Sequence, residues 1–126
     1  MSNLWGGTVA VVDDDARVLE SLEDLLESAG HTVFAFGSGQ ELLDNHAFGA
    51  IDCLIADIGM PQLDGFELHR LARARRPELP VIFITGRHEY ADRQRAMAAG
   101  NQGFFCKPFD GQALLTAVGR ALSRSR

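Results

Sequence analysis

Three consecutive aspartates, a fourth aspartate, a threonine and a lysine each stand at the end of a short apolar run in this chain. Asp13, Asp14 and Asp15 follow Thr8 to Val12, and Asp57 follows Ile51 to Ala56. Thr85 closes the run from Val81 to Ile84, and Lys107 follows Phe104 to Cys106. Taken singly, each has a plain structural use. Asp13 to Asp15 can cap a helix, where acids favour the N-terminus. Asp57 can be a loop acid before the Met60-Pro61 turn, Thr85 a β-favouring strand end, and Lys107 a solvated charge before Pro108. Taken together they make a site.

Like charges about 4 Å apart repel by about 4 kcal/mol at an effective dielectric of about 20. Gathering Asp13, Asp14 and Asp57 therefore requires a positive counterpart. Lys107 supplies one charge. A divalent cation supplies more, and an all-oxygen site with few protein ligands suits Mg²⁺, which keeps several waters and takes a phosphate oxygen. The implied chemistry is metal-assisted phosphoryl transfer, in which the protein mainly positions groups and offsets charge. By capability, Asp57 is the nucleophile, since an aspartate forms an acyl phosphate. Asp13 and Asp14 hold the metal, directly or through water. Thr85 donates a hydrogen bond to one phosphoryl oxygen and Lys107 pairs with another. These last two engage strongly only once phosphate is present, which makes the arrangement a switch.

The elements that would bring these residues together are legible as an alternation. Thr8–Val12 is too short for a helix and apolar on both faces, as a strand buried in a parallel sheet is. Val18, Leu19, Leu22, Leu25, Leu26 and Ala29 then recur at helical spacing, with Gly30 placed as a C-terminal cap. Thr32 to Phe36 reads as a second strand leading into Gly37-Ser38, with nothing ionisable. Ser38 and Glu41 form a capping box opening a helix through Leu42 and Leu43. Ile51 to Ala56 is a third strand, and Met60 to Gly65 a loop. A helix follows through Phe66, Leu68, Leu71 and Ala72 and stops before Pro77. Val81 to Thr85 is a fourth strand, followed by a helix from about Tyr90 to Ala99 ending at Gly100. Phe104 to Cys106 is a short fifth strand, and Leu114, Leu115, Val118, Ala121 and Leu122 mark a final helix after Asp110.

Five βα units predict an α/β fold: right-handed crossovers bury a parallel sheet between two helical layers. Several doubly wound folds share the pattern, so it leaves the strand order open. Ligands in such folds bind beyond the carboxyl ends of the strands. Those ends are where the acids, the hydroxyl and the ammonium stand.

Composition is consistent with one compact unit. The 126 residues are 46% hydrophobic and 23% charged, so a single domain over 1–126 with a core of about 8–123 is expected. No stretch approaches the roughly 18 apolar residues of a membrane span. The start lacks a basic n-region and an apolar h-region, which argues for the cytoplasm. Cys53 and Cys106 each lie in an apolar run and are expected as two buried thiols. The formal charge is −5, and Arg70, Arg73, Arg75 and Arg76 alternate with Leu71, Ala72 and Ala74 as the polar side of a helix. Direct nucleic-acid binding is not expected. His31, His46, His69 and His88 are not at ligand spacing, so solvated or capping roles are expected.

The motifs Val11-Val12-Asp13-Asp14-Asp15, Asp57-Ile-Gly-Met-Pro61 with Asp64-Gly65, Ile84-Thr85-Gly86 and Lys107-Pro108-Phe109 resemble the receiver domain of bacterial two-component response regulators. The resemblance runs from about Thr8 to Ser123. The stretch Gly100 to Phe109 and the Thr-Gly pair are similar to nitrogen-fixation regulators that join a receiver to a helix-turn-helix domain. It implies a flavodoxin-like sheet in the order 2-1-3-4-5. It implies a sensor histidine kinase or phosphotransfer protein as donor, Asp57 as acceptor and Asp14 as a direct Mg²⁺ ligand. Asp13 would act mainly through water, and the backbone carbonyl of Gly59 would be a further ligand. Thr85 would be the switch hydroxyl, Lys107 the phosphate partner, and Phe104 an aromatic that changes rotamer with Thr85. The message would leave to a downstream protein through a changed surface made by the fourth helix (about Tyr90 to Ala99), the fifth strand (Phe104 to Cys106) and the final helix after Asp110.

Departures from the family pattern bear on details. Gly59 has no side chain where many relatives carry one that shapes water access, and Arg87 stands where relatives vary. Both bear on phosphoryl lifetime. Asp92-Arg93-Gln94-Arg95 is polar for a buried dimer surface, so a monomer or a weak phosphorylation-dependent homodimer is expected. With no helix-turn-helix before residue 126, a stand-alone regulator or an excised receiver is expected. Against a phosphatase using Asp57 stands Gly59, where such enzymes usually carry a second acid. Against a flavin or nucleotide binder stand three aspartates where a glycine-rich phosphate loop is needed. A degenerate receiver that only binds would not need the complete set.

Overall fold

The computed structural model describes residues 6–86, 90–100 and 103–124. Five strands alternate with five helices: β1 (Thr8–Val12), α1 (Ala16–Ser28), β2 (Thr32–Phe36), α2 (Gly39–Asp44), β3 (Cys53–Asp57), α3 (Gly65–Arg75), β4 (Val81–Thr85), α4 (Tyr90–Ala99), β5 (Gly103–Cys106) and α5 (Gly111–Arg124). The strands form one parallel sheet in the order β2-β1-β3-β4-β5. Among the described residues no helix is long and apolar enough to cross a membrane.

Strand residues point alternately to the two faces, and each face buries its own core. Ala10, Val12, Leu54, Ala56, Val81 and Phe83 pack with Leu42, Phe66, Leu68, Ala72 and Ala96 under α2, α3 and α4. Val9, Val11, Cys53, Ile55, Ile82 and Ile84 pack with Leu22, Leu26, Leu114 and Val118 under α1 and α5. Every position of β3 and β4 is buried. Each large aliphatic side chain so enclosed contributes about 1.5–3 kcal/mol of transfer free energy. The edge strands β2 and β5 are only partly covered, and Phe34 remains 40% exposed.

Helix ends follow the capping chemistry of the sequence. Asp15, Ser38 and Asp64 accept backbone N–H groups at the starts of α1, α2 and α3, and Asp110 does the same before α5. Gly30 and Gly100 take positive φ values of 91° and 75° just beyond α1 and α4, the conformation a helix terminus asks of glycine.

Several local expectations are corrected. The third strand begins at Cys53 and takes in Asp57, because Ile51 closes a 3₁₀ turn over His46–Ala50. Asp52 then ties the bottoms of two strands, its carboxylate accepting the Thr8 N–H at 2.9 Å and its own N–H reaching the Thr8 carbonyl. Cys106 is half-buried, because β5 is an edge strand; Cys53 alone is fully buried. His69 is not solvated. Its ring lies 5.3 Å from that of Phe83, and burial, aided by the Arg73 charge, lowers its pKa. His31 is also largely buried, and its Nδ1 accepts the Gly7 N–H. Within α4, Asp92 faces inward while Arg93, Gln94 and Arg95 are exposed. Arg87 and His88 lie outside the described residues.

Candidate functional site

The parallel register fixes the level of each candidate. Val12 pairs with Ala56 and Asp57 with Ile84, so Asp13, Asp57 and Thr85 finish neighbouring strands at one rim. Thr85 pairs with Cys106, which brings Lys107 to the same edge, and the Lys107 N–H donates to the Thr85 carbonyl at 2.7 Å.

Of the three consecutive acids, Asp15 is the helix cap, its Oδ1 accepting the Arg17 N–H at 2.9 Å. Asp13, Asp14 and Asp57 each offer a carboxylate oxygen within 4.8 Å of the other two. Asp13 and Asp57 are buried and Asp14 is exposed. Both Asp13 oxygens already have protein partners: Oδ1 accepts the Asp15 N–H at 2.9 Å, and Oδ2 accepts from Lys107 Nζ at 2.7 Å. The same Nζ stands 3.6 Å from Asp57 Oδ2, while Asp57 Oδ1 accepts the Gly59 N–H at 3.2 Å.

These surroundings pull on Asp57 in opposite directions. Burial raises its pKa above the ordinary carboxylate value, the Gly59 N–H opposes this, and the Asp13 charge adds to the rise while Lys107 counters it. The net result is upward. For Lys107, burial favours loss of the proton, but the Asp13 hydrogen bond and the Asp57 charge outweigh it and hold the ammonium above its usual pKa. Among the described residues one ammonium faces three carboxylates, which leaves the cluster short of positive charge. Three oxygen ligands around an opening to solvent through Asp14 fit a hard divalent cation.

Two glycines shape the wall behind Asp57. Gly59 is exposed, and a Cβ there would stand 3.7 Å from Asp57 Oδ1, an ordinary contact distance. Gly65 is different: a Cβ would lie 2.6 Å from both the Asp57 carbonyl oxygen and Ile58 Cα. The start of α3 therefore presses directly on the backbone of Asp57 and Ile58. Sequence reasoning quoted Gly65 within a motif but gave it no task; only the packing supplies one. Phe104 sits on β5 opposite Phe83, half-buried against the core beneath α3 and α4, with the Arg93 guanidinium 4.9 Å from its ring centroid. An open groove of about 560 Å³ borders the site, between the start of α1 and the segment Lys107 to Phe109.

Comparison with known proteins gives the same frame. The family model described as the response regulator receiver domain matches residues 9–119. Over 114 residues the chain is 36% identical to the response regulator protein TodT of Pseudomonas putida, covering 90% of this chain and 50% of TodT. It is 34% identical over 119 residues to the transcriptional regulatory protein FixJ of Bradyrhizobium diazoefficiens, covering 94% of this chain and 58% of FixJ. The chain thus spans about half the length of the curated relatives it matches. Among solved structures, the chemotaxis protein CheY4 of Vibrio cholerae superimposes with a TM-score of 0.81 at 29% identity, over 92% of this chain and 98% of that one. With its flavodoxin-like sheet order and an acidic cluster at the carboxyl ends of the strands, the chain belongs to the response regulator receiver domain family of two-component systems.

Proposed function

We propose that Asp57 accepts a phosphoryl group from a sensor histidine kinase or a phosphotransfer protein, stoichiometrically and not as a turnover enzyme. The observation that carries this reading is the three-carboxylate cluster with Lys107 Nζ set between Asp13 and Asp57. In the transfer, an Asp57 carboxylate oxygen forms the new P–O bond while the P–N bond of the donor phosphohistidine breaks, and the imidazole leaves with the bonding pair.

Mg²⁺ fits the donor set, with Asp14, Asp57 and the Gly59 backbone carbonyl as ligands and Asp13 acting through water. The engagement of both Asp13 oxygens by protein groups supports that indirect role. When bound, the cation supplies charge that offsets the phosphoryl oxygens. Lys107 pairs with one of these oxygens, exchanging its contact with Asp13 for one with the product. Thr85, buried at the end of β4, donates its hydroxyl to another. Because Lys107 and Thr85 already share a backbone hydrogen bond, drawing one inward moves the strand end of the other. Phe104 follows Thr85, and the altered surface of α4, β5 and α5 signals to a downstream protein. The chain acts as a single receiver over residues 1–126, in the cytoplasm, without contacting nucleic acid itself.

The test is incubation with a small phosphodonor and Mg²⁺ followed by intact mass. One added phosphoryl group is expected, absent without the metal and absent in Asp57→Asn. No adduct on the wild type overturns the proposal, and multiple turnover of generic phosphomonoesters replaces it with a phosphatase.

A further inference from the structure

The face between α3 and α4 carries charge opposite to that of the chain as a whole. Formal charge is −5, yet six of the twelve basic residues, Arg70, Arg73, Arg75, Arg76, Arg93 and Arg95, lie on these two helices or at the end of α3. Two of them serve the fold. Arg75 donates to the Leu43 carbonyl, and Arg76 donates to the carbonyls of Phe48 and Ile51. Arg93 covers Phe104. The remaining three line an open groove of about 500 Å³ whose apolar wall includes Phe66 and Ala99.

The groove is built to hold these charges in place. Arg95 lies with its guanidinium carbon 4.3 Å from the Phe66 ring centroid, and Arg73 Nε donates to the Pro77 carbonyl at 2.7 Å. Arg70 is paired with Glu67, the one acid lining the groove among the described residues. Arg73 and Arg95 form no ion pair among the described residues. His69, also in the lining, is buried, and its Nε2 has no hydrogen-bond partner among the described residues. Positive charge with fixed stems over an aromatic floor suits carboxylates, which a guanidinium can take with two parallel hydrogen bonds.

We propose that this groove binds an acidic segment of a protein partner: carboxylates on Arg73 and Arg95, and an apolar side chain against Ala74 and Ala99. A nucleic acid fits the page less well. The body of the chain is acidic, the guanidiniums are few, and part of the groove is apolar, whereas backbone recognition takes a row of about six to ten phosphate contacts. On an acidic protein a positive cleft also attracts an acidic partner to one place and discourages encounters elsewhere. None of the residues lining the groove belongs to the acid cluster, so its occupancy can be measured without phosphorylation.

The test uses the whole chain and a short fluorescein-labelled peptide of alternating glutamates flanking one leucine, with a glutamine counterpart as control. Saturable anisotropy is expected for the acidic peptide, weakening as salt is raised. Arg73→Glu or Arg95→Glu should weaken it by about tenfold or more. Because Arg73 also holds the end of α3, the exposed Arg95 gives the independent variant. Glu67→Gln should tighten binding, a gain that misfolding cannot imitate, and the ring signals of His69 should shift on saturation. Equal binding of the glutamine peptide, indifference to both charge reversals, or displacement by an oligonucleotide at lower concentration than by unlabelled peptide would each overturn the proposal.

Discussion

The two halves of the rim are built differently. On the β1–β3 side the acids are preassembled: the Asp13 N–H donates to the Phe36 carbonyl, Asp13 and Asp57 each accept a backbone N–H, and Gly65 abuts the Asp57 backbone. At β5 and α4, beyond the fully buried β4, the support is thinner. Every described position of β5 is only partly buried. Helix α3 buries Gly65, Phe66, Leu68, His69 and Ala72, whereas the described buried positions of α4 are Asp92 and Ala96. A phosphoacceptor must be in place before its donor arrives, while the groups that respond must be able to move. Under the proposed function, low burial at β5 and α4 and dense packing around Asp57 would separate those two tasks.

The largest expected effect tests that density directly. Leu54→Ala, in the buried centre of β3, should cost about 2–5 kcal/mol in a denaturant titration, whereas Phe104→Leu on β5 should cost less than about 1.5 kcal/mol. Similar losses at the two positions would erase the distinction between the halves. Next comes Gly65→Ala. The new methyl must displace the Asp57–Ile58 backbone, so a loss of about 1–3 kcal/mol is expected, together with slower phosphorylation of the folded fraction.

Smaller, and opposite in sign, is Asp57→Asn. The folded pKa of Asp57 lies above its unfolded value, so its ionisation opposes folding. Its contribution favours the folded state fully below the unfolded pKa, near the model-peptide value of about 3.9, and that advantage is lost as pH rises through the folded pKa. Asp57→Asn should therefore melt at a higher temperature than wild type at neutral pH, with the gap closing on acidification through that window. Mg²⁺ should raise the melting temperature of the wild type by mass action and do so much less for the variant. A gap unchanged by acidification would mean that Asp57 is not the strained charge of the site. The smallest effect concerns the loop joining the halves of the β3–α3 connection. Gln62 adopts φ 63°, a left-handed conformation that costs a side-chain-bearing residue about 1–2 kcal/mol. Gln62→Gly should recover about 1 kcal/mol of stability, measured by the denaturation midpoint.

The strands and the acid–lysine rim were legible because each depends on local pattern plus one rule of topology. A β-rich run followed by a charged residue is visible at Val12-Asp13, Ala56-Asp57 and Cys106-Lys107, and parallel strands put such ends together. The sheet order was not in the pattern of apolar runs; it entered through the resemblance carried by the four motifs. What stayed hidden is long-range and side-chain-specific. Nothing near Arg76 announces that it will donate to the carbonyls of Phe48 and Ile51, and nothing near Asp52 announces its tie to Thr8. The spacing of His69 suggests a solvated or capping role, but it packs on the Phe83 ring, which lies on β4. The close approach at Gly65 is likewise a distance between two segments, which a one-dimensional reading does not contain.

The unequal cysteines have a practical consequence. Burial, reinforced by the Asp52 charge, pushes the Cys53 thiol up to about 12, so it carries almost no thiolate near neutrality. Cys106 is half-buried at the end of β5, directly before Lys107 and in register with Thr85. A maleimide or nitroxide reagent should therefore distinguish the two without mutagenesis. The chain carries its own attachment point for a reporter, on the strand that the proposed switch would move.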